Sequence, residues 1–218
     1  MKILRLFVSC LVLCAVSVHL KGQVAFEKSD HVISAGYSFF QLHPKYLEKQ
    51  FAERNRYGNQ YGAYGIYTFY ESTAHNPLNL KYEAALSSHL GLGISLGYFK
   101  TTVDEKITYY GSTDGYHTFY NYENLSAAVR INYHFGSSKK FDPYIGAAIG
   151  YAYFHITQDP PQTKLTGTPL PDPTPWKTLD FSLSAGLRYY LYKPIAIYVE
   201  AGFDHWAIAQ AGVAFRFR

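Results

Sequence analysis

The chain has 218 residues, a formal charge of +4 from 20 Lys and Arg against 16 Asp and Glu, and an aromatic share of 18% that includes 22 Tyr and 15 Phe. That length holds one domain, with no linker to a second. Lys and Arg form no cluster on a common face, which argues against a nucleic-acid partner, and past the N-terminus no stretch is apolar enough for a transmembrane helix.

Lys2 and Arg5 precede an apolar run from Leu6 to Val18, and Leu20-Lys21-Gly22 places a small residue before Gln23. This is the layout of a secretory signal peptide over 1–22, leaving 23–218 as one β-barrel domain. A membrane-anchoring helix is the competing reading, and the run is short of the ~20 residues a span needs. Loss of Lys2, Arg5 and Lys21 lowers the formal charge from +4 to +1. It also removes Cys10 and Cys14, so disulfides and thiol chemistry drop out of the mature chain.

The spacing predicts strands over 31–41, 78–87, 90–100, 120–135, 144–155, 179–191, 195–203 and 207–217. Alternation is strictest from Asn124 to Phe135, where Leu125, Ala127, Val129, Ile131, Tyr133 and Phe135 share one face and Asn124, Ser126, Ala128, Arg130, Asn132 and His134 the other. An even strand number is what single-chain bacterial barrels use. Ten residues at ~3.3 Å each, tilted about 40°, rise roughly 25 Å, the height of an outer-membrane apolar band. Tyr64 to Tyr70 also reads as strand, as a hairpin arm above an eight-strand barrel or as part of a ten-strand one.

Connections at 87–89, 136–142 and 192–194 are short, whereas 42–77, 101–119 and 156–178 are long; 204–206 is a very short exception among the latter. Short periplasmic turns and long external loops follow when both termini are periplasmic. The loop 156–177 holds six of the ten prolines, including Pro169, Pro171, Pro173 and Pro175, which favours a stiff polyproline II projection. Tyr57, Tyr61, Tyr64, Tyr67, Phe69 and Tyr70 give the first loop an adhesive composition. A surface ligand would therefore meet loops 42–77 and 156–178.

Alternation does not by itself say which face is outside, because a soluble lipocalin-like barrel shares the period with inverted faces. The polar face carries mostly small residues, among them Gly91, Gly93, Ser95, Gly97, Gly146, Gly150, Ser182, Ser184 and Gly186, too few charges for a surface in water. The other face carries Leu80, Leu92, Ile94, Leu96, Ile145, Ile149, Leu183, Ile197, Val199 and Val213, suited to lipid, with aromatics near strand ends as interfacial girdles.

With that orientation Lys81, Glu83, Arg130, Asn132, Arg188, Glu200 and Gln210 all fall at inward parity. They form either a structural ion-pair network filling a narrow interior or a gated polar path. Arg130 then has Glu83 or Glu200 as its expected partner.

Catalytic patterns are weak. His117, His155 and His205 fall near the outer rim and Asp204 adjoins His205, but their spacing matches no triad. No histidine pair has metal-ligand spacing, so neither metal nor cofactor is expected. The sequon Asn124-Leu125-Ser126 lies inside a membrane strand and reads as chance.

Leu80-Lys81-Tyr82-Glu83-Ala84-Ala85-Leu86-Ser87, Gly91-Leu92-Gly93-Ile94-Ser95-Leu96-Gly97-Tyr98, Asp142 to Tyr151, and Ala209 to Phe215 resemble the small outer-membrane β-barrel domain proteins abundant in Bacteroidetes, distantly like OmpA-type and OmpX-type porin-like barrels. The likeness covers nearly all the mature chain and identifies architecture rather than activity. It implies insertion into outer-membrane lipid by the barrel-assembly machinery, with Phe215 and Phe217 as the aromatic assembly signal, displaced one residue by Arg218. The resulting expectation is an all-β, eight-stranded antiparallel up-and-down transmembrane barrel of the cell outer membrane. It is a non-enzyme with a structural, adhesive or surface-interaction role; a narrow channel for small solutes is the alternative and a lipid-modifying barrel enzyme the third.

Overall fold

The computed structural model describes residues 25–49, 66–109, 115–136, 138–159 and 176–218; the expected leader at 1–22, Tyr57, Tyr61 and Tyr64 of the first loop, and the prolines from Pro160 to Pro175 lie outside them. The strands are β1 (His31–Gln41), β2 (Ile66–Ala85), β3 (Leu90–Tyr109), β4 (Gly115–His134), β5 (Phe141–Asp159), β6 (Trp176–Tyr190), β7 (Ile195–Asp204) and β8 (Ala207–Phe217). Each pairs antiparallel with the next, and β8 closes on β1 from His31↔Phe217 to Gln41↔Ala207. Closure leaves no unpaired edge in the barrel wall. The ten-strand option is corrected: 66–70 continues β2 without a break in the strand and adds none to the barrel.

Three of the long connections are shorter than the sequence pattern suggested. β3 runs to Tyr109 and β4 starts at Gly115, so most of 101–119 is a hairpin; β5 reaches Asp159 and β6 starts at Trp176; β2 starts at Ile66. The period-two signal fades there because neither face contrasts lipid with a polar core, while the backbone ladder persists from Lys100↔Glu123 to Thr108↔Gly115. At about 3.3 Å per residue, the 20-residue β2, β3 and β4 overtop the 10-residue β7 by roughly 30 Å of strand. The barrel therefore carries a one-sided sheet made from β2 to β5. Beyond Leu78 toward Ile66, β2 pairs with β3 alone among the described residues.

β5 also begins earlier than the pattern suggested, at Phe141, which turns Asp142 from a turn residue into a fully buried interior one. At the end where residues 25–30 and 216–218 meet lie the turns 86–89 and 191–194 and the described parts, 135–136 and 138–140, of the β4–β5 connection. At the other end a short helix, α1 (43–49), folds over the barrel mouth.

Orientation matches the parity argument at every inward position named above. Leu92, Ile94, Val129, Ile131, Leu183, Val199 and Val213 are 43–66% exposed on the outer wall, whereas Lys81, Glu83, Arg130, Asn132, Arg188, Glu200 and Gln210 are at most 6% exposed inside. An apolar band of that extent is far beyond the patches found on soluble monomers. The arrangement is the inverse of a soluble barrel.

Candidate functional site

The interior is stacked in layers, and strand parity puts each layer in place. The central one holds Lys81 from β2, Arg130 from β4, Glu200 and Asp204 from β7 and Gln210 from β8. Lys81 Nζ donates to Glu200 Oε2 and to Asp204 Oδ2, both at 2.7 Å. Arg130 Nη2 reaches Glu200 Oε1 at 3.1 Å and Ser184 Oγ at 2.8 Å, its Nη1 lies 3.5 Å from Asp204 Oδ2, and its Nε donates to Asn132 Oδ1 at 2.8 Å. Gln210 Nε2 donates to the same two acids, at 2.5 and 2.7 Å. Two cations thus face two carboxylates in a space sealed from solvent, which offsets the desolvation that either charge alone would suffer.

Toward the terminal end lies a second cluster. Arg188 pairs with Glu83 and sits 3.4 Å from Asp142, while His134 offers Nδ1 to Asp142 at 2.7 Å and Nε2 to Glu83 at 2.8 Å. Phe26 stacks on the His134 ring at 3.7 Å and closes the barrel from below with Val32, Tyr190 and Tyr198. Tyr144 joins the clusters: its hydroxyl donates to Glu200 at 2.6 Å, and the Arg188 guanidinium lies 4.5 Å over its ring. Sequence parity placed Glu83, Arg188 and His134 on the inner face, although His134 was not named in the charged network; it missed Asp142, because β5 starts early.

Above the centre, the tight β7–β8 turn departs from parity. His205 and Trp206 both take positive φ, 47° and 64°, as two-residue hairpin turns demand. The register slips between Ala201 and Asp204, and His205 points inward at 1% exposure rather than lying at the rim. Ser126 Oγ and Asp180 Oδ2 each lie 2.8 Å from its Nδ1. A nucleophile relay needs serine and acid on opposite ring nitrogens. Here both meet one nitrogen in a buried layer, and Asp204 Oδ1 lies 3.5 Å from the opposite nitrogen without a hydrogen bond, so the geometry does not match such a relay. The β5 residue His155 is exposed and does not join them; the His117 side chain lies outside the described set.

The mouth is closed by rings. His43 from α1 lies 5.0 Å from Phe99, 5.4 Å from Phe154 and 5.6 Å from Trp206, with its Nδ1 3.2 Å from Thr101 Oγ1. Burial among these aromatics lowers the His43 pKa to about 4. Leu47 continues the plug against Val103, Tyr120 and Tyr122 on the inner side of the projecting sheet.

Two small gaps flank the charged layers. The gap beside Arg130, Lys81 and Glu83 measures about 10 Å³, and that beside Ser38, Glu200 and Gln210 is close to zero. One water needs about 10–15 Å³, so neither of these two gaps holds more than about one water. Among the described residues no three of His, Cys, Asp and Glu converge as metal ligands. Phe215 and Phe217 face outward near the end of β8, their rings 6.2 Å apart.

A closed eight-stranded meander with an apolar wall and a charged, filled interior has the fold of small outer-membrane barrels. The outer membrane protein OprG of Pseudomonas aeruginosa is similar in structure, with a TM-score of 0.51 and 12% identity, the match covering 91% of this chain and 99% of that one. Looser similarity links the chain to Ail, the attachment invasion locus protein of Yersinia pestis, at TM-score 0.43, 11% identity and 87% and 99% coverage. The N-terminal β-barrel domain of Pseudomonas aeruginosa OprF follows at 0.37, 14%, and 88% and 98%. No family model and no curated protein sequence matches the chain significantly.

Proposed function

We propose that this chain is an integral outer-membrane barrel that holds a projecting β-sheet at the cell surface, in a structural or surface-interaction role, without a wide pore and without catalysis. The observation that carries this reading is the combination of a continuous apolar wall with a filled interior and long strands at one end only. The fold likeness to OprG supports the same placement. On this reading residues 1–22 are a cleaved export signal, the barrel-assembly machinery inserts the domain, and outer-membrane lipid surrounds it. The contact surface for an external ligand is the β2–β5 sheet with loops 42–77 and 156–178, where the outer part of β2, paired with β3 alone among the described residues, offers backbone for strand addition.

Heat-modifiable migration on gels together with protease cleavage of intact cells within 50–65 or 160–175 is the expected result. A mature chain that stays soluble without detergent would overturn it. The narrow-channel reading draws on the gap beside Arg130. Planar-bilayer recordings decide that point: silent wild-type and Arg130→Ala barrels remove the channel.

A further inference from the structure

The terminal end of the barrel carries a cleft that none of the interior layers uses. It measures about 520 Å³ and is walled by residues 27–30, the β4–β5 turn, the β6–β7 turn and the end of β8. Five cations line it, Lys139, Lys140, Lys193, Arg216 and Arg218, against the carboxylates of Glu27 and Asp30. The arginines use up those acids. Arg218 pairs with both, and Arg216 lies 3.7 Å from Asp30, donates to the Lys193 carbonyl at 2.9 Å and sits 4.3 Å over the Tyr190 ring. Lys139, Lys140 and Lys193 are exposed and have no acidic partner among the described residues.

We propose that this cleft binds the phosphate headgroup of an anionic phospholipid from the inner leaflet. The volume falls within the range of small-molecule sites. Its three surplus charges come from two turns that the backbone ties to neighbouring strands, through Tyr190 N to Lys140 O at 2.9 Å and Arg216 N to Pro194 O at 2.7 Å. The cleft also opens beside exposed apolar residues: Leu191 and Tyr192 in the turn, and Phe217 on β8. A free phosphate has no use for that apolar margin, whereas a lipid would lay its acyl chains along it while the lysines hold the headgroup. Basic pockets at the membrane interface recognise polyanionic headgroups by this combination of charge and apolar contact. The proposal rests on the barrel standing in the outer membrane with its terminal end toward the periplasm.

The test uses the full protein purified in mild detergent, stripped of lipid and placed in phosphatidylcholine nanodiscs containing cardiolipin or phosphatidylglycerol. Native mass spectrometry reads the lipid retained on release. The wild type keeps anionic lipid, and the Lys139→Ala/Lys140→Ala/Lys193→Ala variant weakens that retention roughly a hundredfold, since each lysine contributes about one charge contact. Lys100→Ala, at the opposite end where Lys100 pairs with Glu123 at 3.3 Å, leaves it unchanged. Equal retention by wild type and triple variant overturns the proposal, and so does displacement of the lipid by millimolar inorganic phosphate, which would make this a free-phosphate site. Heat-modifiable migration of each variant reports folding separately. Failure of the outer-membrane reading would appear as a wild-type chain in the soluble fraction, an outcome distinct from loss of lipid.

Discussion

Arg130 reaches across the barrel to Glu200, Nη2 to Oε1 at 3.1 Å, and leaves Glu83 to Arg188. Both acids are inward. Pairing rows line Arg130 up with Glu83 through Gly93, whereas the Arg130–Ala148–Ser182 row meets β6 four residues from the Gly186–Glu200 row, so strand stagger rather than a shared row brings Arg130 to Glu200. Removing one partner of such a buried pair leaves the other charge uncompensated, at a typical loss of about 3–5 kcal/mol. Arg130→Ala is therefore expected to lower the temperature at which the folded gel band converts to the unfolded one. Arg130→Met combined with Glu200→Gln is expected to recover much of that loss, because it removes both charges and keeps the volume. A double variant no more stable than Arg130→Ala would show that the pair contributes net stability rather than mutual compensation.

Space in the interior is set as tightly as charge. A Cβ built on Gly186 would lie 2.4 Å from Cζ of Tyr144, the ring that joins the two ion-pair clusters. The backbone there is in no special conformation; the close approach of that ring is what requires glycine. Gly186→Ala forces Tyr144 away from Glu200 and is expected to lose roughly 1–3 kcal/mol. The measure is the urea midpoint of the refolded barrel in detergent, and an unchanged midpoint would mean that the ring has room to move.

The architecture was legible because lipid outside and polar atoms inside write themselves into alternate residues. Val129 and Arg130 needed no partner information to be assigned to opposite faces. Partner choice was not legible: parity puts Arg130, Glu83 and Glu200 inside but carries no strand stagger, which decides who meets whom. His205 escaped for a different reason. Two consecutive positive φ values and a register slip reverse its parity, and neither leaves a mark in the residue pattern. The outer ends of β3 and β4, 101–109 and 115–119, were missed because residues such as Thr101, Thr102 and Asp104 stand above the apolar band, where strand and loop have similar composition.

His43 makes the mouth of the barrel sensitive to acid. Burial among Phe99, Phe154 and Trp206 holds its pKa at about 4 against an ordinary value of 6.5, so the packed site accepts the neutral ring and the released ring takes a proton. The contribution of this site to stability is complete above pH 6.5 and falls away as the pH drops toward 4, by up to about 3 kcal/mol. In a Trp176→Phe background, Trp206 emission should report loosening of the plug across that window. His43→Phe keeps the ring contacts without the titration and is expected to flatten the profile, while a profile unchanged by His43→Phe would assign the acid sensitivity elsewhere.

Val129 and Arg130 are neighbours in sequence and opposites in environment, 57% and 3% exposed. That contrast separates a barrel in lipid from the same barrel in water. An arginine at 129 would stand on the outer wall near the middle of the apolar band, where lipid makes it unfavourable by about 2–4 kcal/mol, falling toward zero near the interface. In water the same substitution adds a solvated charge to an over-apolar surface and raises solubility. Val129→Arg is thus expected to lower the folded fraction in phosphatidylcholine vesicles measurably. The matching change at Phe217, close to the terminal rim at 39% exposure, should have a much smaller effect. Equal effects at the two depths would remove the apolar band as the origin of the outer-wall pattern, because only a bilayer makes the cost depend on height along the strand.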